Sequence, residues 1–347
     1  MAQDAPIRVE VSSQLGEAVR LEAEWRALFA RAVGPSFFQS PDWLLPYWAH
    51  APTEQPQLWT AYAGDGRLVG LAALAKRGQQ LGLLGGTAAA YLGPLIDPDA
   101  LGVSDVLLDH LSEQHLASVS LIELDRLEAH SPLFSARIPR GVVAQWCEAD
   151  VCPVLPLRAN GRSETVLPPG FEQHTHTLHR RADRAGGLEN VLLRSGAIER
   201  GLDRLFELHA ASAERQGRRG GFGEAWLRDF LRAVVRRAAI SGALRLLELR
   251  LGGETVALAL GFCTHGRMLF YASGCSARHA QLCPDRLAVL GLLERAIAEH
   301  AYELDFLRGV EPFKYDWGAH NRSIYRLCLS SRAVAHRSPK VDNQPHT

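Results

Sequence analysis

The chain has 347 residues, against roughly 100–200 for a typical domain, so the length predicts two domains. It carries 38 Lys and Arg against 38 Asp and Glu, and this zero net charge excludes an overall polycation that coats nucleic acid or anionic lipid. Hydrophobic residues make up 47%, enough for a full core, and the longest apolar runs, such as 256–262, fall far short of the ~20 residues of a membrane-spanning helix.

The cysteines and the N-terminal segment both favour a cytoplasmic protein. Six cysteines are scattered without a C-x-x-C pair, so neither a zinc knuckle nor a thioredoxin-type motif is present in the sequence. Residues 1–6 have no basic start and no apolar core, and we therefore expect no secretion signal and reduced thiols.

The first half predicts a helix, an aromatic segment, three strands, a second helix and a fourth strand. The Asp65-Gly66 dipeptide is typical of a tight turn between paired strands. In chain order the predicted elements are a helix over 16–32, aromatic residues at 37–44, strands over 58–63, 68–75 and 80–84, a helix over 105–116 and a strand over 118–124.

The second half repeats this order, with Gly252-Gly253 at the corresponding turn. Its predicted elements are a helix over 198–215, aromatic residues at 222–227, strands over 244–251, 255–262 and 268–273, a helix over 284–300 and a strand over 303–307. Corresponding positions are offset by about 185 residues throughout, which indicates an internal duplication.

These elements predict an α/β (α+β) protein with two similar domains, each a mixed, mostly antiparallel sheet flanked by helices. The sequence predicts an N-terminal domain over 1–150, a linker over 151–170, a C-terminal domain over 171–335 and a tail over 336–347. The linker is predicted because Pro153, Pro156, Pro168 and Pro169 break regular structure there.

The order of elements resembles the GNAT acyltransferase core. The closer resemblance is to tandem-GNAT proteins of the CelD-like group, linked to cellulose and exopolysaccharide biosynthesis and related to the Fem peptidyltransferases. The motif that carries it most specifically is L-D-F-L-R-G at 304–309, followed by E-P-F-K at 311–314 and by Trp317. Looser similarity occurs at 37–43, in the basic segment 178–184 and over 208–222. The resemblance implies an N-acyltransferase that uses acetyl-CoA or another acyl-CoA.

The C-terminal motif also has a reading from its residue types. Arg308 and Lys314 supply positive charge for a phosphate or carboxylate, and Trp317 offers a flat wall for a sugar, a base or a pantetheine arm. The alternative is a structural loop, in which Arg308 pairs with Asp305 or Glu311 and Trp317 lies in the core.

Acyl transfer from a thioester to an amine needs a base, an oxyanion donor and a proton for the departing thiolate. The catalytic candidates are Asp305 as base, Tyr271 as acid and Lys314. Glu248 and Glu311 are further possible bases and Tyr315 a further possible acid. Each of these residues also has a plain structural alternative, as an ion-pair partner or a packing group.

The resemblance places the oxyanion donor on the strand 268–273 and the coenzyme A pyrophosphate at the start of the next helix. We therefore predict that Ser273, Arg278, His279 and Arg286 bind the donor. Asp285 departs from the pattern, because a negative charge at a helix start opposes an anion by roughly 0.3–1 kcal/mol.

On the acceptor side, the sequence predicts contacts from Arg181 in the basic helix and from Phe222. The R-x-x-G-x-G pattern at 218–223 follows a helix rather than a strand, so we do not assign coenzyme A to it. His174, His176 and His179 lie among arginines, which disfavours a metal, and we predict none.

The first domain carries no basic residue over 91–95, and we predict a non-catalytic copy that shapes the acceptor site. The partner we expect is a small amine, free or sugar-linked, with no membrane insertion and no nucleic acid. Two alternatives remain open from the sequence: a non-catalytic binding or scaffold module in exopolysaccharide assembly, and a Fem-like transferase that uses aminoacyl-tRNA.

Overall fold

The computed structural model describes residues 7–52, 54–158, 171–215 and 222–331. Contacts divide these residues into two units. Unit 1 holds residues 7–48, 52, 54–150 and 323–331, and unit 2 holds 49–51, 151–158, 171–215 and 222–322. The division at 150 and 151 lies at the predicted start of the linker. Residues 323–331, however, group with unit 1 rather than with the predicted C-terminal domain.

The strands and helices up to residue 156 include the predicted elements and three further strands. They are β1 (Arg8–Ser12), α1 (Leu15–Arg20), α2 (Glu22–Arg31), α3 (Pro41–His50), β2 (Gln55–Tyr62), β3 (Leu68–Arg77), β4 (Gln80–Leu83), β5 (Leu95–Ile96), α4 (Val103–His115), β6 (Leu121–Glu128) and β7 (Val142–Pro156). The helix predicted over 16–32 is two helices that meet at Leu21.

The elements after residue 170 end in a long strand that the sequence analysis did not predict. They are α5 (Phe171–Arg184), β8 (Leu188–Leu192), α6 (Ala197–Arg215), α7 (Ala225–Ser241), β9 (Leu244–Leu251), β10 (Glu254–Thr264), β11 (Arg267–Cys275), α8 (Pro284–Ala298), β12 (Glu303–Asp305), α9 (Pro312–Tyr315) and β13 (His320–Ser331).

The sheet of unit 1 has the strand order β1-β2-β3-β4-β6-β13. All neighbours are antiparallel except β4 and β6, which are parallel and are joined through α4. Residues 68–75 of β3 are buried without alternation, which is typical of a central strand covered on both faces. The predicted β2–β3 turn is present, with Gly66 at a φ of 83° and Asp65 Oδ1 accepting from the backbone N–H of Arg67 at 2.9 Å.

The sheet of unit 2 repeats this topology in the order β7-β12-β11-β10-β9-β8. Here β11 and β12 are the parallel pair, and α8 connects them. The β9–β10 turn uses Gly252 and Gly253, both at positive φ, as the sequence predicts for a tight hairpin. The same order of elements in both units accords with the predicted duplication.

One segment predicted as linker is strand. Residues 151–156 belong to β7, where Val154 and Leu155 are buried and pair antiparallel with Asp305 and Leu304. The prolines do not break this strand: Pro153 lies within it, and Pro156 is its last residue, where the missing N–H is tolerated. Predicted linker residues 159–170 and the predicted tail 336–347 lie outside the described residues.

Burial explains why α8 is central to unit 2. Leu287, Leu290, Leu292 and Leu293 are at most 1% exposed and pack in one core with Leu249 of β9. The predicted fold class, a mixed and mostly antiparallel α/β architecture flanked by helices, is confirmed. In the described parts of the chain, no helix combines the length and hydropathy required to cross a membrane.

Candidate functional site

The second half of β11 continues past the strand that accompanies it. β11 pairs with β12 only from Arg267 to Leu269, then runs on to Cys275 with β10 on its other side. After Asp305 the chain turns to β7, where the Phe306 N–H donates to the carbonyl of Pro153 at 2.9 Å. Among the described strands none pairs with residues 270–275 on the β12 side. We call residues 270–275 the open edge of β11, and it lies at the carboxyl end of a parallel pair, where α/β sheets bind ligands.

Tyr271 is a bulge on this open edge. The pairing with β10 joins Ala272 to Leu260 and Phe270 to Gly261, which leaves Tyr271 as the extra residue. Its ring packs edge-on against Phe262, at 5.8 Å between centroids. Burial raises the pKa of the Tyr271 phenol far above its usual range, and the nearby charge of Arg308 only partly offsets this. The phenol therefore keeps its proton.

Helix α6 lies directly against the end of the open edge. The His209 Nδ1 atom is 2.9 Å from the carbonyl oxygen of Ser273. At Gly274 an added Cβ would lie 2.7 Å from the carbonyl oxygen of Leu205, so only glycine allows this approach. The half-buried ring of His209 also contacts Phe222, at 4.6 Å between centroids. Two predicted site residues, Ser273 and Phe222, thus meet at a histidine.

Lys314 holds the loop after β12 together. Its Nζ donates to the carbonyl oxygens of Arg308 at 2.8 Å, Gly309 at 3.0 Å and Leu307 at 3.3 Å, and it lies 2.8 Å from Glu311 Oε2. An ammonium has three N–H donors, and these acceptors engage all of them. With its side chain only 5% exposed, Lys314 shapes the loop that carries Arg308 and is not placed to meet a substrate.

Asp305 is likewise a structural group. It is fully buried, its Oδ1 accepts from the backbone N–H of Leu307 at 2.8 Å, and its Oδ2 lies 3.2 Å from Arg322 Nη1. Arg322 and Arg267 both pair with Glu303 on the same strand. The predicted role of Asp305 as base is therefore corrected: a carboxylate sealed beneath the strand cannot reach an incoming amine.

The predicted role of Trp317 as a flat wall for a substrate is also corrected. Its ring is 2% exposed and belongs to the core of unit 2, beside Ala319 and Phe306. The sequence presents an indole after a glycine-containing loop, which suggests a binding wall, but the short helix α9 turns Trp317 inward. The structural alternative for this motif holds for Trp317, which lies in the core.

The cationic side chains near the start of α8 are engaged in ion pairs. Cys283, the residue before the helix, adopts a left-handed conformation at φ 53° and makes no side-chain cap. Arg278 and His279 both face Glu254, at 3.1 Å and 3.4 Å, while Arg286 pairs with Asp316 at 2.8 Å.

Arg181 belongs to α5, a helix that contacts the segment Ala277–Leu282 before α8. It is exposed on α5, together with Arg180 and Arg184, and this helix faces α8 through a 2.6 Å contact between His179 Nε2 and Glu294 Oε1. The R-x-x-G-x-G positions 218–221 fall outside the described residues.

The structure therefore gathers Tyr271, Ser273, Arg308 and Phe222, and adds His209, which the sequence analysis did not assign to the site. His209 stands within the similar segment 208–222, but on α6 nothing in the spacing distinguishes it from a histidine that faces solvent. Its role becomes visible only when α6 is seen packed on β11.

A family model matches the stretch of chain that contains this geometry. Residues 164–315 match the family model of the acetyltransferase (GNAT) domain, and this stretch contains β11, α8 and β12. The second half of the chain accordingly carries a GNAT-fold, acetyltransferase-like domain, which supports acyltransferase activity. No curated protein matches the chain.

Solved structures share the whole fold at low identity. A conserved protein of unknown function from Bacteroides thetaiotaomicron gives a TM-score of 0.62 at 13% identity, covering 93% of this chain and 100% of its own. FemX gives 0.61 at 14%, covering 88% and 95%, and L-PGS from Bacillus licheniformis gives 0.55 at 14%, covering 91% and 96%. The predicted resemblance to GNAT and Fem proteins is confirmed at the level of fold, while membership of the CelD-like group stays a prediction.

Proposed function

We propose that this acyltransferase moves an acyl group from an acyl-CoA, with acetyl-CoA the first candidate, to the amino group of a sugar, a nucleotide-sugar or a small molecule. The observation that carries the proposal is the open edge of β11, which is followed directly by the segment leading to α8. A strand edge that pairs with no neighbouring strand offers backbone N–H groups to a developing oxyanion, and a helix start offers them to a pyrophosphate.

The residues around α8 are compatible with the donor. The N–H groups of Asp285 and Arg286 belong to the first turn, which has no intrahelical partners for its donors. Arg278 is 75% exposed in its pair with Glu254, and exposed pairs contribute only about 0–1 kcal/mol. A pyrophosphate can therefore draw Arg278 away from Glu254 at little cost.

His209 is the base that we propose in place of Asp305. The carbonyl of Ser273 can only accept, so the neutral ring carries its proton on Nδ1 and its lone pair on Nε2. The amine nitrogen attacks the thioester carbonyl carbon, the C–S bond breaks, and Nε2 takes the proton that the new amide nitrogen releases. The protonated ring can then return that proton to the thiolate, which balances the reaction.

Tyr271 supports the leaving group. A phenol whose pKa is raised by burial does not give up its proton fully to a thiolate, whose conjugate acid has a pKa of roughly 8.5 in the free side chain of cysteine. It stabilises the departing sulfur through a hydrogen bond instead. Arg308 lies near enough to act on the phenol electrostatically and would orient a phosphate or carboxylate of either substrate.

A second candidate is a Fem-like transfer from aminoacyl-tRNA. Two observations favour it: Asp285 is exposed at the start of α8, where it opposes a pyrophosphate, and Arg180, Arg181 and Arg184 form an exposed basic surface on α5. This function predicts salt-sensitive binding of RNA and indifference to coenzyme A.

Calorimetric titration of the full chain with acetyl-CoA, coenzyme A and tRNA, each at two salt concentrations, separates the two candidates. We expect saturable binding of acetyl-CoA, followed by thiol release when amines are added, with amino sugars first in the panel. Folded protein that binds no coenzyme A at millimolar concentration would overturn the proposal, and salt-sensitive tRNA binding would then support the second candidate.

A further inference from the structure

Unit 1 contains a cavity of about 460 Å³ that the proposed reaction does not use. It lies among the end of α2, the loop before β5, the start of α4 and the end of β6, and its lining residues all belong to unit 1. The volume falls within the roughly 300–1,000 Å³ typical of small-molecule sites. The lining includes residues 92–95. They belong to the segment 91–95, whose lack of basic residues led us to predict a non-catalytic first domain.

The walls of the cavity are largely apolar. Leu92, Leu95 and Ile96 are buried, at most 9% exposed, whereas Val33 and Leu101 are 64% and 82% exposed. Such a graded lining suits a ligand with an apolar body, because burial of apolar surface stabilises binding by roughly 25 cal/mol per Å².

Carboxylates dominate the charged side chains that line the cavity. Asp97, Asp105 and Glu128 line the cavity, and no lysine or arginine does so in the described part of the chain. Two of these carboxylates face arginines from outside the lining: Asp97 pairs with Arg67 and lies 2.6 Å from Arg31, and Asp105 lies 3.9 Å from Arg137.

Glu128 differs from the other two in its neighbour. Its side chain is only 6% exposed, and one of its partners is His130, at 4.0 Å between Oε2 and Nε2. A carboxylate offers about four acceptor positions, so Glu128 can accept from a ligand in addition to its protein neighbours. A charge-assisted hydrogen bond to a carboxylate with so little exposure is stronger than the same bond in water.

We propose that this cavity binds a small primary amine with an apolar body, the ammonium against Glu128 and the body against Leu95 and Ile96. An anion does not suit the site beside Glu128, because the described lining holds three carboxylates and neither lysine nor arginine. The inference rests on unit 1 alone and stands whether or not unit 2 uses acyl-CoA. If the acceptor of the proposed reaction is such an amine, the cavity is a site that selects it.

Equilibrium titration of the full chain with hexylamine, 1-hexanol and hexanoate at pH 7.5 tests the charge preference. We expect hexylamine to bind at least ten-fold more tightly than hexanol, and hexanoate to bind most weakly. The variant Glu128→Gln keeps the shape and removes the charge, and should weaken hexylamine at least ten-fold with little effect on hexanol. Glu123→Gln, on the same strand but outside the cavity, is the matched control and should leave all three unchanged.

A second variant guards against a loss of folding in Glu128→Gln. Ser135 is exposed and lines the cavity, so Ser135→Trp should fill the mouth, keep the thermal unfolding midpoint and abolish hexylamine binding. Equal affinity for hexylamine in the parent chain, in folded Glu128→Gln and in Ser135→Trp overturns the proposal, as does tighter binding of hexanoate than of hexylamine.

Discussion

The Nδ1 atom of His209 and the carbonyl oxygen of Ser273 lie 2.9 Å apart, and this contact joins α6 to the open edge of β11. The carbonyl fixes which nitrogen of the neutral ring carries the proton, and so which one can accept another. The packing of Phe222 against the ring limits its rotation. A side chain on one helix is thereby prepared for chemistry on the edge of a neighbouring strand.

His209→Asn should lower kcat about 10²–10⁴-fold, the usual contribution of a general base, with the KM for acyl-CoA little changed. Asparagine can still donate to the Ser273 carbonyl through its amide but offers no basic nitrogen at the Nε2 position. Initial rates of thiol release measure the effect. The exposed His176 on α5 provides the control, because His176→Asn should retain full activity. Unchanged kcat in folded His209→Asn would exclude the base role.

Lys314→Met should act on stability before it acts on chemistry. It leaves the carbonyls of Leu307, Arg308 and Gly309 without their donor, and an unsatisfied buried acceptor costs about 1–3 kcal/mol. We expect the free energy of unfolding to fall by about 2 kcal/mol or more in denaturant titrations. A variant of parental stability that loses its activity would instead restore Lys314 to the catalytic set.

Sequence reasoning was most successful where periodicity and turn chemistry determine structure locally. The strand over 244–251 agrees with β9 at both ends, and the turns at Gly66 and Gly252 lie where the dipeptides predict them. The fold class and the repeated order of elements followed from the same signals. Residues 151–156 were missed because their partner β12 lies about 150 residues further along the chain, and the prolines there favoured a connector.

The site residues were harder to predict because the residue type does not show whether a charged side chain binds a ligand or stabilises a loop. Lys314 and Arg308 share one motif, yet Lys314 donates to loop carbonyls, while the charge of Arg308 partly offsets the raised pKa of Tyr271. Trp317 packs in the core, as large aromatic rings commonly do. Burial of the ring stabilises the fold more than its exposure as a binding surface would. These differences depend on loop geometry after β12, which no local pattern encodes.

Asp285→Asn should strengthen acyl-CoA binding about two- to five-fold, because it removes a charge that opposes a pyrophosphate by roughly 0.3–1 kcal/mol at a helix start. The side chain is exposed, so the substitution should not alter folding. Calorimetric dissociation constants at low salt give the readout. Asp229→Asn, exposed on α7, is the control and should leave the affinity unchanged. An unaltered affinity in Asp285→Asn would place the pyrophosphate elsewhere.

Acid should destabilise unit 1 through two histidines of α4. Burial lowers the pKa of both His110 and His115, and the charges of Lys76 and of His110 lower that of His115 further, while Glu113 opposes the shift at His110. The unfolded chain therefore binds these protons more readily than the folded chain does. The stabilisation is present above the ordinary histidine pKa of about 6.5 and is lost as the pH falls through the folded values.

Thermal unfolding between pH 7.5 and 5 measures this loss. We expect a falling midpoint in the parent chain and a smaller fall in the double variant His110→Gln/His115→Gln, because glutamine takes up no proton over this range. His176→Gln changes an exposed histidine and should keep the parental slope. Parallel curves for the parent and the double variant would show that other groups govern the acid response.

Gly274→Ala tests whether the approach of α6 to β11 sets the site. The added methyl would meet the Leu205 carbonyl oxygen at 2.7 Å and the Leu208 Cβ at 2.9 Å, so helix and strand must separate, at a cost of about 1–3 kcal/mol. Since His209 rides on the same turn of α6, kcat should fall together with stability. Gly196→Ala, just before α6, meets nothing within 4 Å and should be neutral or slightly stabilising. Denaturant midpoints and initial rates for the two variants decide the matter, because equal behaviour would mean that the contact does not position His209.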